Sequence, residues 1–453
     1  MAGYENLDDL LLKEIQQKEE EGCEFDSKKF IDMINNNNDI KSLYNIYKNL
    51  NEIEVSEKFP YYEPSMLEKI NQEKPGMQFE LDKKILKSEL LDKVNGAWLG
   101  RSIGCALGKP LETSDFMFGP GQKENVKKYL QGADAYPLDY YVPESSTAKG
   151  LEVQKSVSTR EKIKYMESDD DIRYTLLGLE VIDRKGIDFK TKDMAEVWMD
   201  KLPINQLYTA ELQAYLNLVN TEGTPRRGVF DEVNWLENAV YLNPYREWIG
   251  AQIRADFFGY IVPGKPELAA ELAWRDARMS HVKNGIYGEM FFAAIIAAAF
   301  FENKPEKLLK IGLSQIPKNC RLAVAIKEII SLSKKHETWE SCFEEMINNY
   351  GKYSAVHTIN NALIVAISLL YGKGDFEKTI TIAVMSGYDT DCNGATAGSI
   401  LGIINGANNI PEKWKNPLND TIDSEVIGYG RIKITEIASK TVDLILLNNP
   451  NIQ

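Results

Sequence analysis

Two short acidic runs in this 453-residue chain hold the residue types that metal or proton chemistry needs. Glu167-Ser168-Asp169-Asp170-Asp171 places four acids in five positions, just before the helical pattern IRYTLLGLEVI. Far downstream, Asp389-Thr390-Asp391-Cys392-Asn393 precedes a Gly/Ala-rich segment that also reads as a helix. An acid or hydroxyl at a helix start caps free backbone N–H groups and is favoured by the helix dipole. A cap needs only one or two such residues, however. Clustered carboxylates repel one another and give up hydration poorly unless a cation joins them. Two acidic helix starts brought together would make an oxygen-rich site for a hard divalent ion, Mg2+ or Mn2+. The residues by themselves leave capping and cation binding both open.

Both ends of such a site need rigid elements, and glycine spacing suggests them. Gly96, Gly100, Gly104 and Gly108 recur every four residues in GAWLGRSIGCALGKPLE, and Gly394, Gly398, Gly402 and Gly406 do so in GATAGSILGIINGA. Each helix-interior glycine costs about 1 kcal/mol relative to Ala, so eight of them need a compensating gain. Spacing of four puts them near one helix face, where a second backbone can approach closely. Trp98, Arg101 and Asn405 argue against a membrane dimer. The pattern predicts two helices packed nearly backbone to backbone, a stiff centre on which a site can be built.

Around that centre, residues 1–88 read as a helical N-terminal extension. Leu10, Leu11, Ile15, Phe30 and Ile34 recur at helical spacing, and breaks fall at Asn35–Asn38, Pro60, Pro64 and Lys74-Pro75-Gly76. Residues 89–453 form the main domain. Long helical segments such as Asp171–Asp183, Glu267–Met279, Gly288–Phe301, His357–Tyr371 and Gly394–Gly406 dominate it, and period-two runs are scarce. The fold class expected is all-α, helix packed on helix. The Gly/Pro/Tyr-rich stretch Thr113–Glu167, with Phe118-Gly-Pro-Gly121 and Tyr136-Pro137, reads as a lid or binding loop.

Charge narrows the partners. Lys plus Arg is 53 against 67 Asp plus Glu, a net −14, which argues against nucleic acid or an anionic membrane and suits cations. Cysteines at 23, 105, 320, 342 and 392 make neither a paired framework nor a C-x-x-C pattern, so a reducing cytoplasm is the expected home. The start, MAGYENLDDLLLKEIQQ, is acidic and amphipathic, unlike a signal peptide. The most apolar stretch, Met290–Phe301, is far shorter than the roughly 20 residues a membrane span needs. The oligomeric state leaves no mark in the sequence.

The ordered set G-x-A-L-G-x-P-x-E at 104–112, S-D-D-D at 168–171 and D-T-D-C-N-G-A-T-A-G at 389–398 resembles the ADP-ribosylglycohydrolase family, of the dinitrogenase-reductase-activating glycohydrolase type. Gly250-Ala-Gln-Ile-Arg254 and Ser280-His281 resemble two further elements of that family, and the likeness runs from about Leu91 to Trp414. The resemblance implies a compact, orthogonal multi-helix all-α domain that holds two Mg2+ or Mn2+ ions. It implies ligands from Ser168, Asp169 and Asp170 at one helix start, and from Asp389, Asp391 and Cys392 at the other. ADP-ribose would set its ribose diol on the metals and lose the C1″ glycosidic bond to a protein side chain or small molecule. Glu112 matches a glutamate near the scissile bond. The backbone of Gly250, Ala251, Gln252 and Ile253 would wrap the pyrophosphate, with His281 beside the ligand. Such cleavage passes an oxocarbenium-like state and needs an activated water, for which Glu112 and Asp170 are both candidate bases. Hydrolysis of another ribosyl bond, in a nucleotide or nucleoside, is the alternative. A non-catalytic, crystallin-like ADP-ribose binder is a third reading, against which the retained acids speak.

Four departures from the family pattern stand out. Cys392 replaces a Thr, and a thiol is a poor Mg2+ ligand. Cys105 stands where an acid is common, Asp171 replaces a Thr and adds charge beside the metals, and Asp256 stands where Pro is frequent. They suggest a divergent branch whose leaving group differs from arginine or serine. Of the remaining histidines, His357 is expected to be structural or to support a site residue from behind, and His336 solvated. Trp235, Tyr241, Tyr245 and Trp248 read either as core or as an adenine-stacking surface.

Overall fold

The glycine ladders lie against each other as their spacing predicts. The computed structural model describes residues 4–449 except 38, 78, 80, 82–83, 119–120, 221–229 and 231–232. In it the first ladder is the helix Lys87–Gly108 and the second is Thr390–Asn405. Gly96 faces Gly402, Gly100 faces Gly398 and Gly104 faces Gly394, so the helices run antiparallel. A Cβ added at any of these positions would collide with the carbonyl oxygen of the glycine opposite. Gly406 differs from the expectation: it lies just past the helix, with φ of +74°, and ends it.

Other helices wrap this pair and bury it. Lys283–Ala299 and Thr358–Gly372 are apolar on nearly every face because both lie inside the bundle. Phe376–Met385 packs on the second glycine helix and the C-terminal helix Ile434–Asn448 on the first, where Trp98 Nε1 donates to Thr441 Oγ1 at 3.0 Å. The sheet found among the described residues is a two-stranded antiparallel hairpin, Thr421–Asp423 with Arg431–Lys433. Strands of three residues are too short to show a period of two. The domain is all-α, and no helix among the described residues is long and apolar enough to cross a membrane.

The N-terminal extension is helical, with Leu7–Glu20, Ser27–Asn35, Ile40–Asn51 and Leu67–Glu73. Asp26 and Asp39 cap the second and third helices by accepting from the N–H groups of Lys29 and Ser42. Leu10, Leu11, Ile15, Ile46 and Leu50 make a small core of their own, closed by Leu242 from the main domain.

Within 113–167, the helices Ser114–Met117 and Gln122–Gly132 precede a long irregular run. That run is pinned to the body: Tyr129 Oη donates to the Pro143 carbonyl at 2.8 Å and Tyr141 Oη to that of Trp414 at 2.7 Å. The Gly119-Pro120 pair of the expected lid lies outside the described residues.

Candidate metal centre

Three chain segments meet where the glycine helices end. The first helix stops at Gly108, and a turn of 3-10 helix, Lys109–Leu111, carries the chain through Pro110 to Glu112. Because the pair is antiparallel, the second helix starts beside that end, and Thr390 Oγ1 donates to the Gly108 carbonyl at 2.9 Å. The third segment is the helix Asp170–Lys185, whose N-cap Asp169 accepts from the Asp171 N–H through Oδ1 at 2.9 Å. Donor atoms of Cys105, Asp169, Asp171 and Asp391 all fall within 4.8 Å of one another, and Asp389, Asp391 and Cys392 form an overlapping set. Capping and clustering therefore coexist, Asp169 serving both.

The local backbone holds this geometry under strain. Tyr388, directly before Asp389, has φ of +65°, unusual for a bulky residue, and follows Gly387 at +72°. Asn361 braces the same turn: its Oδ1 accepts from Asn393 Nδ2 at 2.8 Å and from the Asp389 N–H at 3.4 Å.

Crowding shows in the proton affinities. Burial, then Glu112 and Asp169, push Asp391 well above the usual carboxylate range. Burial and then Asp169 raise Asp170 to about 6 and Glu112 to about 8. Asp389 is raised by burial, partly offset by hydrogen bonds from Cys392 and Asp391. Asp169 runs the other way: burial would raise it, but Lys109 and Arg173 bring it below its ordinary value. Asp391 Oδ1 is buried without any partner.

Each expected site residue has a definite place. Glu112 stands at the rim, its side chain 36% exposed, and accepts from Gln154 Nε2 at 3.2 Å. Ser168 Oγ accepts from Arg173 at 2.7 Å and donates to the Ser424 carbonyl at 3.1 Å, so its hydroxyl is already committed. Cys392 and Cys105 are buried thiols, which burial and neighbouring carboxylates keep protonated.

Asp171 does add a carboxylate to the cluster, and the fully buried Arg101 pairs with its Oδ1 and with Asp256 Oδ2, each at 2.8 Å, while Asp171 Oδ2 lacks a partner. Arg101 also donates to the Ile253 carbonyl at 2.6 Å, tying the 250–254 segment to the acidic helix start. Two departures from the family pattern, Asp171 and Asp256, are thus one buried triad with Arg101.

That segment packs without room for a side chain at Gly250, where a Cβ would strike the Glu211 carboxylate. Ala251, Gln252 and Ile253 are buried, and neither amide atom of Gln252 has a partner. Arg254 is buried on Asp276 at 2.5 Å and Glu211 at 2.6 Å, over the rings of Tyr174 and Trp198. His281 Nδ1 shares a hydrogen bond with Ser280 Oγ at 2.8 Å, and burial followed by Arg254 keeps the imidazole neutral.

The other histidines and aromatics resolve as follows. His357 caps its helix by accepting from the Ile359 N–H at 3.1 Å, and burial lowers it to about 3. His336 is not simply solvated, since Nε2 lies 2.6 Å from Glu345. Tyr245 is core, edge-on to Tyr4 and Trp248, and donates to Glu5 at 2.8 Å, while Tyr241 packs on Tyr47. Sequence reasoning missed Lys109, whose Nζ sits 2.5 Å from Asp169 Oδ2. Its only signal was its place between Gly108 and Pro110, a position the motif leaves unspecified.

A profile of the ADP-ribosylglycohydrolase family matches residues 86–450. Among solved structures, an ADP-ribosylglycohydrolase-related protein complex has a TM-score of 0.50 and 17% sequence identity, covering 80% of this chain and 99% of that chain. This likeness concerns the fold. No curated protein sequence matches the chain.

Proposed function

From a chain that belongs to the ADP-ribosylglycohydrolase family over residues 86–450, we propose a metal-dependent hydrolase that cleaves the C1″ ribosyl bond of an ADP-ribosylated side chain or small molecule. The observation that carries this reading is the convergence of Asp169, Asp171, Asp389 and Asp391 at the joined ends of two glycine helices, with Glu112 and Asp170 near enough to feel their charge. Structural needs alone do not explain such a cluster, because one N-cap is enough to start each helix.

The donor set fits Mg2+ or Mn2+. It is dominated by carboxylate oxygens, its two thiols are held protonated, and the buried Asp391 Oδ1 lacks a partner. Asp169, Asp170, Asp389 and Asp391 would hold the ion or ions, with Ser168 and Cys392 at the edge. Bound there, a divalent ion supplies an anchor for vicinal ribose hydroxyls and acidity for a water.

The chain's own groups do the rest. Glu112 stands at the rim of the cluster, where its carboxyl would hold a proton for the leaving atom or take one from water. Gln154 fixes its orientation. Gly250 leaves room for the Glu211 carboxylate against its backbone, and Arg101 sets that segment's distance from the acids. His281, neutral, offers a hydrogen bond from beside the segment rather than a charge.

ADP-ribose release from arginine-, serine- and O-acetyl-linked substrates, with EDTA, Mg2+ and Mn2+ arms, tests the reading. Metal-dependent release from one of them is expected. Metal-dependent binding of ADP-ribose without release would move the substrate to another ribosyl compound, and neither binding nor release would overturn the proposal. Asp389→Asn should lower both metal affinity and turnover by about 100-fold or more.

A further inference from the structure

The two halves of the acid cluster are not alike. On one side, both oxygens of Asp169 are engaged: Oδ1 accepts the Asp171 N–H at 2.9 Å and Oδ2 takes the Lys109 ammonium at 2.5 Å, while Arg101 holds Asp171 Oδ1 and leaves its Oδ2 without a partner. The same ammonium lies 3.9 Å from Glu112 Oε2, and the Lys109 side chain is only 14% exposed. The turn that carries it is held from outside, since Gln154 Nε2 donates to the Lys109 carbonyl as well as to Glu112. On the other side, Asp389, Asp391 and Cys392 converge with no cationic side chain among the described residues bonded to their acids, and Asp391 Oδ1, in a residue 1% exposed, has no partner among them.

We infer that the Lys109 ammonium takes the place of one of two divalent ions, leaving a one-metal site built on Asp389 and Asp391. The inference rests on the metal-dependent reading above and deepens it. An ammonium is a compact cation with three donors, able to neutralise a carboxylate pair and aim at oxygen ligands as a hard ion does. Being covalently tethered at a helix end, it is present at full occupancy whatever the ion concentration. For a divalent ion to use Asp169 Oδ2, Lys109 must leave a largely buried ion pair. Lys109 would then steady Asp169 and Glu112 together, a positioning role, while the ion on Asp389 and Asp391 remains exchangeable.

Mn2+ titration of the full chain without substrate, read by the electron paramagnetic resonance of free Mn2+, decides the matter. One ion per wild-type chain is expected, and two per chain for Lys109→Met, or the second bound at least about tenfold more tightly than in wild type. Lys109→Arg should keep one, and Lys109→Gln serves if the Met variant does not fold. Two ions on the wild type, or one on both wild type and Lys109→Met, would overturn the inference while leaving a metal-dependent hydrolase standing. No ion on any form would overturn this inference and the metal reading together.

Discussion

At the scale of single residues, the main domain repeatedly buries charge beside charge. Arg101 between Asp171 and Asp256, and Arg254 between Glu211 and Asp276, are buried ion pairs, and burial still raises Asp171, Asp256 and Glu211 against the pull of their arginines. Glu20, in the N-terminal extension, is a further buried carboxyl. Burial and then Glu247 raise it to about 7, against the opposing pull of Gln16 and Arg321. The folded chain therefore binds this proton more readily than the unfolded one. Its stabilising contribution is complete below the ordinary glutamate value and is lost as pH rises through about 7. Urea midpoints measured from pH 5 to pH 8 should fall by the equivalent of about 2–3 kcal/mol from this group. Glu20→Gln should flatten that slope, and an unchanged slope would count against the assignment.

At the scale of elements, the antiparallel glycine pair is the joint that brings distant acids together. Thr390 touches Gly108 because Gly100 and Gly398 pass with their backbones nearly in contact. A methyl group at Gly100 would strike the Gly398 carbonyl, which is backbone and cannot swing aside. Overpacking typically costs about 1–3 kcal/mol, and the upper end applies here. Gly100→Ala should lower the urea midpoint accordingly. It should also weaken metal binding, because separating the helices pulls Asp389 and Asp391 away from Glu112 and Asp169.

At the scale of the whole molecule, the N-terminal extension is clamped to the main domain by buried ions. Arg246 holds Glu14 through two nitrogens, at 2.7 and 2.9 Å, and Glu21 at 2.8 Å, while Arg321 joins Glu63 to Glu247. Tyr4 lies edge-on to Tyr245, just upstream of the Gly250 segment. Arg246→Met would leave Glu14 buried without its partner, with Lys283 still on Glu21, at a cost of about 3–5 kcal/mol. Proteolysis within residues 21–60 should then precede global unfolding, where wild type resists both together. Equal resistance in the variant would show that the apolar contacts through Leu242 carry the docking instead.

What the sequence by itself determined is local and periodic. Glycines every four residues imply one helix face, and acids before IRYTLLGLEVI and GATAGSILG imply helix starts, since spacing and capping act within a few residues. The ordered motifs also carried the family, which the match over 86–450 bears out. Gly406 and the short hairpin escaped because a helix end and a three-residue strand leave too little period to read. Only the tertiary structure decided which charges meet. Lys109 with Asp169, Arg101 with Asp171 and Asp256, and Arg246 with Glu14 are partners far apart along the chain. Nothing in the spacing of such residues encodes their contact. It arises when burial removes water and each charge must find its counterion in whatever the packed helices bring near.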